Sequence, residues 1–345
     1  TKFWEYFLFL ERLMIMQKKT PVKYFFVIPN SEIGGAQNFF KRLFNHFDVD
    51  NKFLFVEDLI SHRRFNLLHR VFALYKLTKS SNQVIVFATV NSLVSSIFCK
   101  IFSKKFFLIS RLGNTLSSEI KVNSYVYLKN FILYKIIFRF SNCVVFQSQA
   151  MKQDAMNILK NRDQNKFVVI NNGIDFNELE KKSIARANIK INSRYFNYLL
   201  IGSFKYQKGY DIFFEALKII PEKELSLMRF HICGGGSLFK KFEEQVSQSS
   251  LSNYVKMLGW VENPYPIMKK MNSYILPSRY EGFPNSLIEA LSFGLPSLVS
   301  RSPGANEEII INKFNGITFK NEDAYDLSRK ILQMKNTSQI FNSDA

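Results

Sequence analysis

Two glutamates in the segment SRYEGFPNSLIEALSFGLP, residues 278–296, draw attention because of their spacing. Glu281 and Glu289 lie eight positions apart, on either side of Pro284. The run SYILPS before them predicts a strand, and NSLIEALSF predicts a helix that Pro284 starts and Gly294 ends. The free N–H groups and the dipole at the start of a helix suit a phosphate group. One carboxylate would then lie just outside an anion site and the other beyond it.

Two carboxylates around an anion site suit a nucleotide-sugar diphosphate. Glu289 lies four residues past Asn285, which is about 6 Å along a helix axis, and a carboxylate there can accept hydrogen bonds from two sugar hydroxyls. Gly282 allows the backbone to approach a ligand closely. The alternative is that Glu281 is a surface charge of a loop and that Glu289 lies on a solvated helix face. The residue chemistry alone leaves both interpretations open.

Three further loops contain glycines at the ends of predicted strands. Gly34 and Gly35 open a helix in PNSEIGGAQNFF, which is typical of a phosphate-approach loop. Lys208 in IGSFKYQKGYD could donate to a diphosphate, with Gly209 allowing the approach. The segment CGGGS could border a base. Taken singly, each has a plain alternative: a tight turn for the glycines and a surface position for the lysine.

Continuous apolar runs predict the sheet that positions these loops. Such runs are typical of parallel strands buried on both faces, and the segments between them are long enough for crossover helices. In the first half they are 23–29, 52–58, 83–89, 105–110, 143–148 and 166–171. In the second half they are 197–203, 229–236, 253–259, 273–278 and 296–300.

The domain boundary is placed near residue 185. Residues 171–194 are polar and lack a strong apolar period, which favours a linker. The sequence therefore predicts two doubly wound α/β domains, 16–185 and 186–345, facing across a cleft, with ligands at the carboxyl ends of the strands. Residues 1–15 are treated as an extension without an assigned role.

The charge is positive and unevenly distributed. The formal net charge is +19, and residues 1–172 hold 25 basic against 10 acidic residues. Between 59 and 153, Glu119 is the single acidic residue among 14 basic ones. Such a field attracts an anionic partner, for which nucleic acid and an anionic membrane surface are the usual candidates. A plain solvated surface is the alternative.

The remaining composition argues against a disulfide framework, a metal site and a membrane span. Cys99, Cys143 and Cys233 lie far apart in apolar surroundings, which favours reduced thiols and a cytoplasmic location. No CxxC or HxxxH pair suggests a metal site. No uninterrupted apolar run reaches the ~18 residues that a membrane-spanning helix needs.

Together the motifs resemble family 4 of the retaining glycosyltransferases, which have the GT-B architecture of two Rossmann-like domains facing across a cleft. The resemblance extends from residue 23 to about 330 and includes the two glutamates eight positions apart. It rests on the segments IPNSEIGGAQ, VINNGID, IGSFKYQKGYDIFFEAL, HICGGGS and VKMLGWVENPYPIMKKMNSYILPSRYEGFPNSLIEALSFGLPSLVSRSPGANEEII.

The resemblance implies roles for residues that match the family pattern. Glu281 would contact the donor sugar near the reacting centre, Glu289 would bind the ribose, and Lys208 would neutralise the leaving diphosphate. Other positions would surround the donor: Gly34 and Gly35 at the diphosphate; Gly282, Phe283, Pro284 and Asn285 around the sugar and phosphate; Trp260 and Val261 near the base.

Three departures from the family pattern stand out. Ser203 follows Gly202 where the family usually has an arginine, and Lys205 and Arg279 are the candidates to substitute for that charge. In the loop ISRLGNTLSS, where many members carry a histidine, Arg111 and Asn114 are the polar candidates on the acceptor side. The family's closing helix, which crosses back to the first domain, is expected to be absent or truncated.

The implied reaction is glycosyl transfer with retention, from a UDP- or GDP-sugar to a glycan or polyprenyl-linked acceptor of bacterial surface polysaccharide synthesis. Lys208 and the helix dipole would serve without a metal, and no further cofactor is expected. The basic first domain would contact the anionic inner face of the cytoplasmic membrane, and the segment VYLKNFILYKIIFRF, residues 126–140, could form an interfacial helix there. Its apolar residues could equally pack on the sheet.

Competing functions are a non-catalytic GT-B scaffold, a sugar-nucleotide epimerase and a nucleic-acid binder. The absent arginine favours the scaffold, whereas the intact glutamate pair argues against it. An epimerase would need acid and base residues that the sequence does not show. No recognition helix, aromatic RNA-binding pair or zinc pattern supports nucleic-acid binding.

Overall fold

The computed structural model describes most of the second half of the chain and selected segments of the first. The described residues are 22–28, 44, 52–56, 71–72, 74–76, 83–89, 97, 100–101, 106–120, 124–160, 165–186 and 189–341. The chain divides into two compact units, Thr1–Gly173 and Ile174–Ala345. The division lies somewhat before the predicted boundary near residue 185, and the separate roles of the two domains stay a prediction.

The first unit contains a six-stranded sheet in which all the paired strands are parallel. The strand order is β2-β1-β3-β4-β5-β6. The strands are β1 (Val22–Ile28), β2 (Lys52–Val56), β3 (Gln83–Thr89), β4 (Phe106–Arg111), β5 (Cys143–Phe146) and β6 (Phe167–Val169). Complete helices in the described part are α1 (Leu116–Ile120), α2 (Ser124–Phe140) and α3 (Gln149–Leu159).

Apolar runs form these strands because both faces of the sheet are covered. Every residue of β5 is buried, and the ring of Phe146 lies 6.2 Å from that of Phe138 of α2 and 5.4 Å from that of Phe167 of β6, measured between centroids. Helix α3 begins after Ser148, whose hydroxyl accepts a hydrogen bond from Met151 N at 3.1 Å. Such a cap contributes about 1 kcal/mol.

The second unit contains another six-stranded parallel sheet, in the order β12-β11-β10-β7-β8-β9. Its strands are β7 (Phe196–Ile201), β8 (Met228–Cys233), β9 (Val255–Gly259), β10 (Ser273–Leu276), β11 (Ser297–Ser300) and β12 (Gly316–Phe319). Its helices are α4 (Phe176–Ser183), α5 (Tyr210–Ile219), α6 (Glu222–Leu225), α7 (Phe239–Ser247), α8 (Tyr265–Met268), α9 (Asn285–Ser292), α10 (Asn306–Ile309) and α11 (Ala324–Phe341). One-turn 3₁₀ helices span Tyr206–Lys208 and Ser250–Asn253.

Helices cover both faces of this second sheet. On one face Phe213 of α5 and Ile331 of α11 are fully buried, and the Tyr198 hydroxyl donates to Ile331 O at 2.6 Å. On the other face Leu199 packs in a cluster with Met268 of α8 and Leu287 of α9. The chain thus has the predicted fold class, with two parallel-sheet α/β units.

All eleven predicted strands are present, within one to three residues at each end. The twelfth, β12, was not predicted. It is a four-residue edge strand that pairs only with β11 among the described strands, and the fragment GITF is too short for a periodicity argument. None of the described helices is both long and apolar enough to cross a membrane.

Candidate active site

The strand order of the second sheet reverses direction between β7 and β10. Strand β7 pairs with β8 on one side and with β10 on the other. Ligands of open parallel sheets bind outside the carboxyl ends of the strands at such a switch point. The loops that leave β7 and β10 here are residues 202–209, the Lys208 loop, and residues 277–284, the Glu281 loop.

Lys208 and Glu281 form an ion pair between these loops. Lys208 Nζ lies 2.5 Å from Glu281 Oε1, and the two side chains are only 17% and 7% exposed. The Ser278 hydroxyl donates to the same oxygen at 2.6 Å, and Gln207 Nε2 lies 3.5 Å from the other carboxylate oxygen. Glu281 is therefore a buried and anchored carboxylate rather than a surface charge of a loop.

The backbone of Glu281 is held by the loop that follows β11. Glu281 N donates to Pro303 O at 2.9 Å. Gly304 adopts φ +123°, and a Cβ there would lie 1.7 Å from Glu281 O. Only glycine fits so close to the neighbouring carbonyl. Sequence reasoning missed this residue, because a single glycine after a strand gives no signal of what it contacts.

The Lys208 loop requires one glycine and lies closely against another. Gly209 has φ +64°, and a Cβ there would lie 2.1 Å from Pro277 O, so the two loops touch through their backbones. A Cβ on Gly202 would lie 3.3 Å from Cδ and Cε of Lys208, so the aliphatic stem of the lysine lies across this glycine. Ser203, at the position of the expected arginine, is half-buried.

Glu289 lies inside helix α9, which follows the Glu281 loop. It is half-buried, and the Tyr265 hydroxyl of α8 lies 3.4 Å from its Oε1. The predicted position inside a helix is thus observed, and the side chain is neither fully buried nor fully exposed. Asn285 begins the helix, directly after the buried Pro284.

The start of α9 is fixed to the end of β7 by a buried tyrosine. The Tyr274 hydroxyl contacts the Ser286 hydroxyl at 2.8 Å and donates to Ile201 O at 3.2 Å. Burial raises the pKa of Tyr274 well above its usual range, so the group stays a neutral donor. Gly282, the residue after Glu281, is buried, and Phe283 is half-buried.

The glycine-rich loop after β8 also meets the Lys208 loop. A Cβ on Gly234 would lie 1.9 Å from Gly202 O, and a Cβ on Gly235 would lie 4.0 Å from Trp260 Cβ. Trp260, after β9, is 62% exposed, and Val261 is half-buried. A Cβ on Gly236 would lie 2.9 Å from Phe204 N, so close backbone approach requires glycine at 234 and 236 but not at 235. These contacts gather the loops after β7, β8 and β9 at one edge.

The predicted site residues of the first unit, Arg111 and Asn114, differ from each other in burial. Arg111 ends β4, is buried, and donates through Nη2 to Asn172 Oδ1 at 2.6 Å. Asn172 in turn donates to Gln147 Oε1 at 3.0 Å. Arg111 is therefore part of a buried polar network, whereas Asn114 is half-buried. Gly34 and Gly35 lie outside the described residues.

Arg279, one candidate to replace the absent arginine, is paired with two carboxylates. Its guanidinium forms ion pairs with Asp211 at 2.6 Å and with Glu322 at 2.6 Å. Lys205 is exposed at the start of the 3₁₀ turn. Within the described part of the chain, no group of three or more His, Cys, Asp or Glu residues is arranged to hold a metal ion.

Comparisons with known proteins agree on one family. A family model described as glycosyl transferases group 1 matches residues 181–341. An uncharacterized glycosyltransferase of Methanocaldococcus jannaschii is 30% identical over 220 residues, which are 62% of this chain and 56% of that protein. The N,N'-diacetylbacillosaminyl-diphospho-undecaprenol alpha-1,3-N-acetylgalactosaminyltransferase of Campylobacter jejuni is 30% identical over 241 residues, which are 66% of this chain and 60% of that protein. The chain thus spans less than two thirds of the length of these curated relatives.

A solved structure shows the same fold at low sequence identity. The crystal structure of Anabaena HepE in complex with UDP and glucose matches with a TM-score of 0.72 at 18% identity, covering 92% of this chain and 91% of that chain. The parallel sheets, the switch-point site and the matched family model point the same way. The chain has the GT-B fold, and residues 181–341 match the family model of the glycosyl transferases group 1.

Proposed function

We propose that the protein is a retaining glycosyltransferase that moves a sugar from a nucleotide-diphosphate sugar to a glycan or polyprenyl-linked acceptor. The observation that carries the proposal is the buried pair of Glu281 and Lys208 at the switch point, with Glu289 on the helix that follows. UDP is the favoured nucleotide of the UDP and GDP pair, because the structurally similar Anabaena protein was solved with UDP and glucose.

The charge that develops during the reaction falls on the leaving diphosphate. Lys208 and the N–H groups that begin α9 lie at the switch point before the donor arrives, so they are in place to stabilise this charge as it develops. Glu281 faces the donor sugar, and Glu289 accepts from the ribose hydroxyls. The proposed reaction uses the nucleotide sugar as a substrate and needs no metal or further cofactor, because Lys208 and the helix supply the positive field.

A polyprenyl-linked acceptor is supported by the printed activity of the Campylobacter relative. Such an acceptor places the protein at the inner face of the cytoplasmic membrane, in surface polysaccharide synthesis. Helix α2 supports a membrane contact, because Tyr134, Ile137 and Phe138 are buried, while another face exposes Ile132, Lys135, Ile136 and Arg139. Exposed isoleucines beside cations suit an anionic interface. The buried face agrees with the packing interpretation of this segment, and the exposed face is the one proposed to contact the membrane.

Vesicle flotation tests the membrane contact. We expect binding to vesicles that contain phosphatidylglycerol but not to pure phosphatidylcholine, and Ile132→Glu should lower the bound fraction severalfold. Ile311→Glu is the matched control, because Ile311 is exposed in the second unit. Equal binding by both variants would contradict a contact through α2.

Calorimetry tests the transferase proposal. UDP, GDP and their common sugar conjugates are titrated into the wild type and Glu289→Ala. One nucleotide should bind at micromolar strength and weaken about tenfold in the variant, which is about 1.4 kcal/mol. A folded wild type that binds none of them would refute the proposal.

Ser203 favours a second candidate, a non-catalytic GT-B scaffold in a polysaccharide assembly complex. The family arginine is absent there, and Arg279 is held by two carboxylates. The scaffold predicts that Ser203→Arg creates or strongly increases nucleotide binding. The transferase predicts that the wild type already binds.

A further inference from the structure

Arg279 lies two residues before Glu281 in the chain, but its guanidinium contacts other residues. Four of its five N–H groups donate hydrogen bonds. Nη1 reaches Tyr206 O at 2.9 Å and Asp211 Oδ1 at 2.8 Å, Nη2 reaches Asp211 Oδ2 at 2.6 Å, and Nε reaches Glu322 Oε1 at 2.6 Å. The side chain is 11% exposed.

The partners of Arg279 flank Lys208 along the chain. Tyr206 lies two residues before the lysine, and Asp211 lies three residues after it, in the first turn of α5. The guanidinium also lies 4.0 Å from the centroid of the Tyr206 ring. Arg279 therefore holds both ends of the short segment that carries Lys208.

Backbone contacts strengthen the same connection. Arg279 N donates to Gln207 O at 2.8 Å, and Gln207 Nε2 donates to Tyr280 O at 3.0 Å. The Lys208 loop and the Glu281 loop are thus joined on either side of the ion pair. The pairing of β7 with β10 brings the two loops together, and these contacts fix Lys208 relative to Glu281 beyond the ends of the strands.

A third element completes the arrangement from the edge of the sheet. Asn321 Nδ2, after β12, donates to Arg279 O at 3.0 Å. Glu322, the next residue, adopts φ +59°, a left-handed conformation that non-glycine residues rarely take. This conformation coincides with its carboxylate accepting from Arg279.

A direct role on the donor is less consistent with these contacts. Two carboxylates surround one guanidinium, so the cluster of Arg279, Asp211 and Glu322 is net negative. A net negative cluster does not attract a diphosphate. The bidentate geometry toward Asp211 also requires the planar fork of arginine, which lysine lacks.

We propose that Arg279 is a positioning residue of the transfer reaction, which holds Lys208 against Glu281 by clamping residues 206–211 to the Glu281 loop. The inference rests on the proposed function for its catalytic meaning. Its structural part, the clamp itself, can be tested without any ligand.

Two measurements on Arg279→Ala test the two parts separately. Hydrogen exchange of the free protein should rise at least severalfold in peptides that cover 203–211 and 277–283. The Kd for UDP should rise about tenfold or more, which is about 1.4 kcal/mol, while the Kd for uridine changes less than about twofold. A merely structural loss would weaken both ligands alike, because uridine lacks the phosphates that Lys208 contacts.

Asp211→Asn separates positioning from direct contact. This variant releases Arg279 from one partner. If Arg279 contacted the nucleotide directly, the variant would then bind UDP more tightly than the wild type. The clamp predicts that Asp211→Asn binds UDP more weakly than the wild type. It also predicts that the double variant, Arg279→Ala with Asp211→Asn, has a Kd for UDP within about twofold of that of Arg279→Ala alone. Arg279→Lys should resemble Arg279→Ala, since it keeps the charge but loses the fork.

Arg229→Ala is the matched control. Arg229 also lies over a tyrosine, with its guanidinium carbon 3.5 Å from the Tyr195 ring centroid, but it stands near the amino end of β8. Its loss should leave UDP affinity and exchange at 203–211 unchanged. Unchanged exchange in Arg279→Ala, tighter UDP binding by Asp211→Asn, or additive losses would overturn the clamp. A wild type that binds no nucleotide would overturn the proposed function instead, and exchange would still decide whether the clamp exists.

Discussion

Replacing Lys208 by methionine should weaken the binding of UDP but not that of uridine. Methionine keeps an aliphatic stem to lie across Gly202 and removes the charge. A hydrogen bond between charged groups contributes ~1.5–3 kcal/mol, which corresponds to roughly 10- to 150-fold in Kd. The low end applies here, because Lys208 already lies 2.5 Å from Glu281 in the free protein, and the diphosphate must compete with that carboxylate.

Coulomb's law explains why Lys208 still favours UDP binding despite this competition. At an effective dielectric constant of about 20, two unit charges 4 Å apart attract by about 4 kcal/mol. A carboxylate carries one negative charge, whereas a nucleoside diphosphate carries more than one. The exchange of partners is therefore favourable by a fraction of this figure, and we expect a loss of roughly tenfold in UDP affinity.

The assay is calorimetric titration of UDP and of uridine into both proteins at low and high salt. Loss of the cation should also reduce the salt dependence of UDP binding, since exposed charge interactions are screened. The variant leaves the buried Glu281 carboxylate without its cation, which costs about 3–5 kcal/mol of stability. Titrations are therefore made well below the melting temperature of the variant.

Two results would refute the reasoning. Equal weakening of UDP and uridine would mean that Lys208 supports the fold of the site rather than the diphosphate. Unchanged UDP affinity would mean that the pair with Glu281 persists in the complex and that the diphosphate is bound elsewhere.

Three further predictions concern turnover and stability. Glu281→Gln should lower transfer about 100-fold in kcat, as loss of a preorganised polar group at a reacting centre does, with UDP affinity within a few-fold of the wild type; a large loss of UDP binding would count against its place at the sugar. Gly304→Ala should cost at least ~2 kcal/mol in urea unfolding because of φ +123° and the contact with Glu281 O. Gly294→Ala, at φ +71° with nothing within 4 Å, should cost only about 1 kcal/mol, and equal costs would contradict the contact. Burial, with smaller effects from the charges of Lys256 and Arg229, lowers the pKa of His231 from 6.5 to about 4. As pH falls, His231 is therefore protonated in the unfolded chain before it is protonated in the folded protein. The free energy of unfolding should fall by up to about 1.4 kcal/mol per pH unit as pH drops from 6.5 toward 4. Urea unfolding at pH 7.5 and pH 5 should show a smaller pH dependence of stability in His231→Gln than in the wild type.

The sequence predicted the strands well because their signal is local. A parallel strand covered on both faces is a continuous apolar run, and every such run that was identified is a strand. The strand before Glu281 and the helix that carries Glu289 were also predicted, since Pro284 and Gly294 punctuate the chain there. Strand β12 escaped because pairing with β11, rather than its own four residues, holds it in the sheet.

The composition of the site was predicted, but its geometry was not. Lys208, Glu281 and Glu289 were chosen from residue type and position. The sequence by itself determined that charged residues stand at the ends of buried strands, because burial patterns and turn residues act over a few positions. Only the tertiary structure decided that Lys208 pairs with Glu281, that Gly304 must lack a side chain, and that Arg279 forms ion pairs with two carboxylates. Those facts depend on which strands become neighbours, and that depends on long-range packing that no local pattern records.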